Sequence, residues 1–394
     1  MISVHQVAGN QLMLLQNGAA FFPQLCADID AAQHSVYLET YMFATDETGR
    51  MIAAALRRAA ARGIVVRVLL DGYGSADLPQ HWVDELRMAG IEVQWFRREV
   101  SPFTLRRSRK RRLLRLHRKL AVIDGEVAFV GGINIINDIP EYSDFTVPRL
   151  DYAVRVQGGI TGEIHVAMRR LWGVVSWASF RRRGKEIERF VLEKVEHAAA
   201  PEITFLLRDN LRHRRDIERA YLKAIAGAQR EIIIASAYFL PGRIFRRALK
   251  QAVRRGIRVV LLLQGKIEYR LQHYATHALY DQLLAAGVEI HEYQASYMHA
   301  KVAVVDGRWA TVGSSNIDPF SLLLAREANL AIRDAGFAGE LRASLLAAIN
   351  NDAVRIGDEY CGTRNFFGRL VARLSYGVVR MLIGILGNRR HGSP

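Results

Sequence analysis

Apolar positions along the chain change period in a regular order. A short run, "SVYLETYMF" (35–43), is followed by helical spacing through "ETGRMIAAALRRAAARG", which ends at Gly63, where a C-cap glycine belongs. The β-rich run "IVVRVLL" comes next, then a helix over 79–89, a strand over 91–96 and a hairpin signalled by Asp124-Gly125. Strands alternating with helices predict an α/β layered unit. The unbroken apolar character of "VVRVLL" and of the later "RVVLLLQ" predicts strands buried on both faces.

The same order of elements occurs twice. "SVYLETYMF" is answered by "EIIIASAYF", "RGIVVRVLLDG" by "RGIRVVLLLQG", and "AGIEVQWF" by "AGVEIHEY". "LHRKLAVIDGEVAFVGGINI" (116–135) aligns without a gap with "MHAKVAVVDGRWATVGSSNI" (298–317). Four blocks in one order amount to a duplication, with spacers that differ in length as loops do. Residues 160–200 fit neither copy well, and a boundary is expected near Ala198–Pro201. The predicted division is a first domain over 1–198, a second over 199–363 and a basic amphipathic tail over 364–394.

Composition narrows the class. A chain of 394 residues exceeds one typical core and suits two domains of roughly 150–200 residues. Charged residues make up 24%, which is an ordinary folding composition. The net charge of +16 implies a polyanionic partner, whether nucleic acid, an anionic membrane surface or phosphorylated substrates. Two distant cysteines, Cys26 and Cys361, imply no disulfide framework and a reducing compartment. The N-terminal stretch lacks the pattern of a signal peptide. The most apolar window, "LSYGVVRMLIGILG", is too short for a membrane span and carries Arg380.

A shared core strand explains the matching Val and Ala positions of the duplicated stretches. It does not explain why His117, Lys119, Asp124 and Asn134 recur as His299, Lys301, Asp306 and Asn316. His117 and Lys119 are two apart, so on a strand they share a face, while Asp124 points away or caps the turn. The aspartate therefore reads as an anchor for the hairpin. Lysine supplies a point charge, asparagine supplies amide donors, and Gly131, Gly132 and Gly313 are expected to let a ligand approach the backbone. Two copies facing each other offer two histidines, one for nucleophilic attack and one for proton transfer.

At these residues the sequence resembles the phospholipase D superfamily, marked by HxKxxxxD followed by GSxN, present twice. The pattern departs once, at Gly132, where the family usually has serine. Within the superfamily the chain looks like the short bacterial cardiolipin synthases without N-terminal transmembrane helices. The resemblance implies two duplicated α/β/α sandwich halves packed face to face, with the active site at their interface. It implies a phosphatidyltransferase that forms a phosphohistidine and joins two phosphatidylglycerol molecules, giving cardiolipin and glycerol. Its catalytic set would be His117, Lys119 and Asp124 with His299, Lys301 and Asp306. His117 is expected to attack and His299 to serve as acid, then base. Asn134, Asn316 and Ser314 would bind the phosphate, and Asp151 and Glu327 would orient the histidines. Exchange of one phosphodiester for another requires neither ATP nor a metal, so no cofactor is expected.

The run "RRSRKRRLLRLHRK" (106–119) leads into the first motif. Each Lys or Arg near an anionic leaflet contributes about 1 kcal/mol. Peripheral attachment to the cytoplasmic side of a bacterial inner membrane is expected, with 168–183 and 364–390 lying in its interface. Other signals are weaker. "DGYGSAD" has Asp77 where a dinucleotide fingerprint needs its third glycine. His273 and His277 lack the glutamate of HExxH, so a helix face or a substrate-loop role is favoured over zinc. The alternatives are a lipid hydrolase, another phosphatidyltransferase or a nuclease. No aromatic stacking platform for single strands is evident, and no nucleic-acid partner is expected.

Overall fold

The computed structural model describes residues 2–97, 114–139, 144–179, 201–209, 213–318, 325–357, 371–372, 374–379 and 381. The first half runs β1 (His5–Val7), β2 (Asn10–Gln16), α1 (Asn17–Ala31), β3 (Ser35–Thr40), α2 (Glu47–Ala61), β4 (Val65–Asp71), α3 (Gln80–Met88), β5 (Glu92–Phe96), β6 (Arg115–Leu116), β7 (Lys119–Ile123), β8 (Val127–Gly131), β9 (Tyr152–Gln157) and α4 (Ile160–Ser179). The second runs β10 (Ile203–Arg208), α5 (Asp216–Gly227), β11 (Glu231–Ser236), α6 (Arg243–Arg254), β12 (Arg258–Gln264), α7 (Arg270–His277), α8 (Tyr280–Leu284), β13 (Glu289–Tyr293), β14 (Lys301–Val305), β15 (Trp309–Gly313), β16 (Ala325–Ile332), α9 (Ala335–Asp352) and β17 (Ala353–Ile356). The predicted boundary near 198 and most of the tail lie outside the described residues.

Each half builds one mixed sheet, in the order β1-β2-β9-β8-β7-β3-β4-β5 and β10-β16-β15-β14-β11-β12-β13-β17. The β3-β4-β5 and β11-β12-β13 pairings are parallel, as helical crossovers require, and the motif hairpins are antiparallel. Period-2 alternation divides each central strand between two cores. Leu120 and Val122 of β7, with Val302 and Val304 of β14, enter one core shared by both sheets. Ala121 and Ile123 face α1–α3, while Ala303 and Val305 face the helices of the second half. The sheets therefore pack face to face, with α1–α3 and α5–α8 on their outer faces.

One part of the pattern was placed differently by the sequence. Residues 160–179 fit neither repeat by sequence, yet α4 follows β9 as α9 follows β16. Both helices join the shared core, through Ile160, Ile164 and Met168 and through Phe337, Leu341 and Leu345. A helix that packs on two sheets carries apolar residues on more than one face, and α4 buries Leu171, Trp172 and Val175 in a further cluster. Its periodicity is blurred for that reason.

The turn signals act as read. Asp124 and Gly125 have φ of 55° and 74°, and Asp306 and Gly307 have 56° and 63°. Two successive positive φ angles are what a tight type I′ hairpin needs.

Candidate active site

Chain register brings the two motifs together. The two-residue strand β6 leaves its own sheet and pairs in parallel with β16 of the other half. His117 N–H then donates to Arg326 C=O at 2.9 Å, next to Glu327. The second half reciprocates: Leu150 bridges Met298, and His299 N–H donates to Leu150 C=O at 2.8 Å, next to Asp151. Each histidine is thereby held beside a carboxylate of the opposite half. His117 Nδ1 lies 3.1 Å from Glu327 Oε2, and His299 Nδ1 lies 2.6 Å from Asp151 Oδ2. With Nδ1 engaged, each ring is left its Nε2 for chemistry. The ring centroids are 6.5 Å apart, a gap suited to one phosphoryl group.

Two further residues hold these strands. Asp71 Oδ2 accepts from Leu116 N–H at 2.7 Å, and Gln264 Oε1 accepts from Met298 N–H at 2.7 Å. They occupy aligned positions, at the ends of β4 and β12. Tyr41 packs edge-on against His117 at 4.8 Å between centroids, and Lys119 Nζ lies 5.2 Å from the centroid of the Tyr41 ring. Asp71, Gln264 and Tyr41 were not singled out by sequence, although all three sit in the duplicated blocks. Chemically plain strand-end residues carry no sign of what they touch.

Lys119 and Lys301 are buried beside the histidines, and each ammonium donates to the carbonyl of the histidine two residues before it, His117 and His299. Burial pushes Lys119 down to about 7 and Lys301 down to about 8. Burial likewise lowers His117, against the pull of Glu327, and takes His299 well below the ordinary imidazole value, with Lys301 and Lys119 adding to the effect. Asp151 is raised by burial to about 7. A buried site of this kind gains from an anion: a phosphodiester between the lysines would favour their charged forms and relieve their repulsion of His299.

The asparagines stand close by, both buried. Asn134 Oδ1 accepts from Met42 N–H at 3.3 Å, which leaves its amide NH2 for other partners. Asn316 Oδ1 has no hydrogen-bond partner among the described residues.

Three expectations need correction. Ser314 does not offer its hydroxyl to a phosphate: it donates to Glu327 Oε2 at 2.6 Å and accepts from Ala328 N–H at 3.1 Å. Asp124 and Asp306, counted with the catalytic set by the resemblance, lie at the far end of β7 and β14. Asp124 accepts three backbone N–H groups, from Gln33, His34 and Ser35, and Asp306 does the same for Gln229, Arg230 and Glu231. They anchor the hairpins, as strand parity indicates. The motif glycines admit protein and not ligand. A Cβ at Gly131 would stand 2.5 Å from Ala153 Cβ, one at Gly313 2.3 Å from Asn329 Cγ, and one at Gly132 2.2 Å from Asp151 Oδ1. Among the described residues no group of three or more His, Cys, Asp or Glu side chains is placed to hold a metal ion.

Paired α/β halves meeting over two His–Lys motifs define a protein of the phospholipase D class. A family model described as "Cardiolipin synthase, PLD-like domain" matches residues 25–139 and 221–348, once in each half. The chain is 39% identical to a cardiolipin synthase B of Salmonella typhi, over 96% of this chain and 90% of that protein. It is 37% identical to the cardiolipin synthase B of Escherichia coli K12 over the same shares. The chain belongs to the phospholipase D-like family of the cardiolipin synthases. Among solved structures, phosphatidylserine synthase of Haemophilus influenzae has the same fold, with a TM-score of 0.68 at 15% identity over 95% of this chain and 94% of that one.

Proposed function

We propose that the protein is a cardiolipin synthase that moves a phosphatidyl group from one phosphatidylglycerol to another. The crossed histidine–carboxylate pairs, facing each other at 6.5 Å with two buried lysines beside them, carry this reading. Lys119, Lys301 and the amides of Asn134 and Asn316 bind the phosphodiester oxygens and stabilise the charge that develops there. Nε2 of His117 attacks phosphorus, the bond to the headgroup glycerol oxygen breaks, and His299 gives that oxygen its proton. The second phosphatidylglycerol then offers a headgroup hydroxyl. His299 takes its proton, its oxygen attacks phosphorus, and the P–N bond to His117 breaks. The products are cardiolipin and glycerol, and both histidines are restored.

His299 must be protonated for the first step. Its depression has burial and the neighbouring lysines as causes, so an anionic phosphodiester bound between those lysines makes the imidazolium accessible. Glu327 and Asp151 fix the tautomers and support the cations.

Among the described residues no helix is long and apolar enough to cross a membrane. The net charge of +16 supports peripheral attachment to an anionic leaflet, on the cytoplasmic face of the inner membrane in this reading.

The test is incubation of purified protein with phosphatidylglycerol vesicles, with lipids resolved by mass. Wild type is expected to make cardiolipin, and His117→Ala and His299→Ala to make none. Wild type quenched in denaturant without acid should carry phosphatidyl label that His117→Ala lacks. Phosphatidic acid as the sole product of the wild type would replace the synthase reading by a hydrolase one.

A further inference from the structure

The surroundings of the two histidines are unequal. Tyr41 closes one side of His117. In the aligned blocks "SVYLETYMF" and "EIIIASAYF", the residue at that position of the second half is Ala237. The local backbones agree, so the alignment holds in space. Phe43 bridges Ile135 as Phe239 bridges Ile317, and the hydroxyls of Thr40 and Ser236 each donate to the carbonyl two residues on at 2.9 Å. Replacing a tyrosine ring by a methyl group removes what would close the His299 side. An open-mouthed cavity lies there, with Ala237, Gln264, Lys266, Glu268, Gln272 and His273 in its lining. It adjoins His299 through the backbone, since Ala237 N–H donates to Ala300 C=O at 3.0 Å and Gln264 accepts from Met298 N–H.

A second exchange gives the cavity its chemistry. Asp71 in the first half and Gln264 in the second accept the same strand bond. Glutamine has an amide nitrogen left over after doing so. Gln264 is 9% exposed, and its Nε2 has no hydrogen-bond partner among the described residues. Gln272 Oε1, in the same lining, has none either. Buried polar groups are ordinarily satisfied, and an open one is costly. A donor and an acceptor left open in one lining match hydroxyl groups, each of which both donates and accepts. Lys266 and Glu268 in the same lining bring one charge of each sign, and with the two amides they suit a neutral polyol better than a second phosphate.

We propose that this cavity binds the polyol headgroup of the acceptor alcohol and presents one of its hydroxyls to His299. The proposal rests on the transferase reading and adds a place for the second substrate. His299 takes the proton of the bound hydroxyl, the hydroxyl oxygen bonds to phosphorus, and the P–N bond to His117 breaks. Tyr41 holds the equivalent position beside His117, and that difference gives the two histidines their separate tasks. Occupation of the cavity by a diol also keeps water from the same position, so the cavity sets the ratio of transfer to hydrolysis.

The experiment compares wild type, Ala237→Phe and Gln272→Leu on phosphatidylglycerol vesicles, with deuterated glycerol and ethanol added in equal amount. Products are resolved by mass and expressed as ratios within each sample, so partial loss of folded protein does not alter them. Wild type is expected to make cardiolipin and to favour labelled glycerol over ethanol. Both variants should lower the cardiolipin to phosphatidic acid ratio by about tenfold or more and lose the preference for glycerol. Wild-type ratios in both variants overturn the proposal while leaving the synthase reading intact. Phosphatidic acid alone from the wild type overturns both.

Discussion

Opposite Glu327 stands the hydroxyl of Ser314, at 2.6 Å, whereas opposite Asp151 there is only Gly132. The shorter carboxylate occupies the space a serine side chain would need, since a Cβ at Gly132 falls 2.2 Å from Asp151 Oδ1. Gly132→Ser would restore the usual family pattern, and by sequence alone it should add a phosphate contact. The structure predicts the opposite: the new side chain displaces Asp151 from His299. A charge-assisted hydrogen bond is worth about 1.5–3 kcal/mol, or about 10–100-fold in rate. Steady-state assays should therefore show kcat of Gly132→Ser reduced by at least that range, and Ser314→Ala reduced by about tenfold through the loosened Glu327. Activity of Gly132→Ser equal to or above wild type would show that Asp151 has room to move. At this scale the histidines, lysines and asparagines were legible because polar residues recurred where a buried strand should be apolar. The crossing of each histidine to the other half's carboxylate was not, because it depends on how β6 and Leu150 pair across the halves.

The elements that carry the motifs are held at their far ends by Asp124 and Asp306. Partial burial raises these carboxyls, but three backbone N–H donors outweigh it and hold each below the ordinary aspartate value. A carboxylate with a depressed folded pKa contributes stability that is present above its unfolded value, near 3.8, and is lost as pH falls through the folded one. Asp124→Asn keeps the shape but offers a single neutral acceptor, which should cost about 1–2 kcal/mol at pH 7. Thermal melts should show Tm lower by a few degrees at pH 7, with the difference closing below about pH 3.8. An equal difference at pH 3 and pH 7 would mean that charge is not what the turn uses. The hairpins were legible because Asp-Gly between apolar runs has a local cause. The amphipathic character of 168–183 was legible too, but the burial of α4 against Leu69, Phe96 and Leu116 was not, because it is set by contacts remote in sequence.

For the whole molecule, duplication was legible from order and spacing, and with it the meeting of two half-sites. What the fold adds is the side that can meet a lipid surface. Helix α4 buries Leu171, Trp172 and Val175 but leaves Val174 60% and Trp177 49% exposed, one turn apart on the same face. Leu374 and Met381, near the chain end, are exposed to a similar degree. Fully burying one large apolar side chain contributes about 1.5–3 kcal/mol, and each basic residue near an anionic leaflet about 1 kcal/mol. These two contributions respond differently to salt, because screening weakens the charge attraction and leaves apolar burial intact. Cosedimentation with phosphatidylglycerol vesicles should therefore fall steeply between low salt and about 0.5 M, yet leave a residual bound fraction. Val174→Glu/Trp177→Glu should abolish that residue while retaining most binding at low salt. Removal of 365–394, which carries its own run of basic and apolar residues, should lower both. If the double variant binds as wild type does at high salt, the exposed face of α4 does not touch the membrane. If the truncated chain binds as wild type does at every salt concentration, the tail has no part in attachment, and the basic run before His117 becomes the segment to change next.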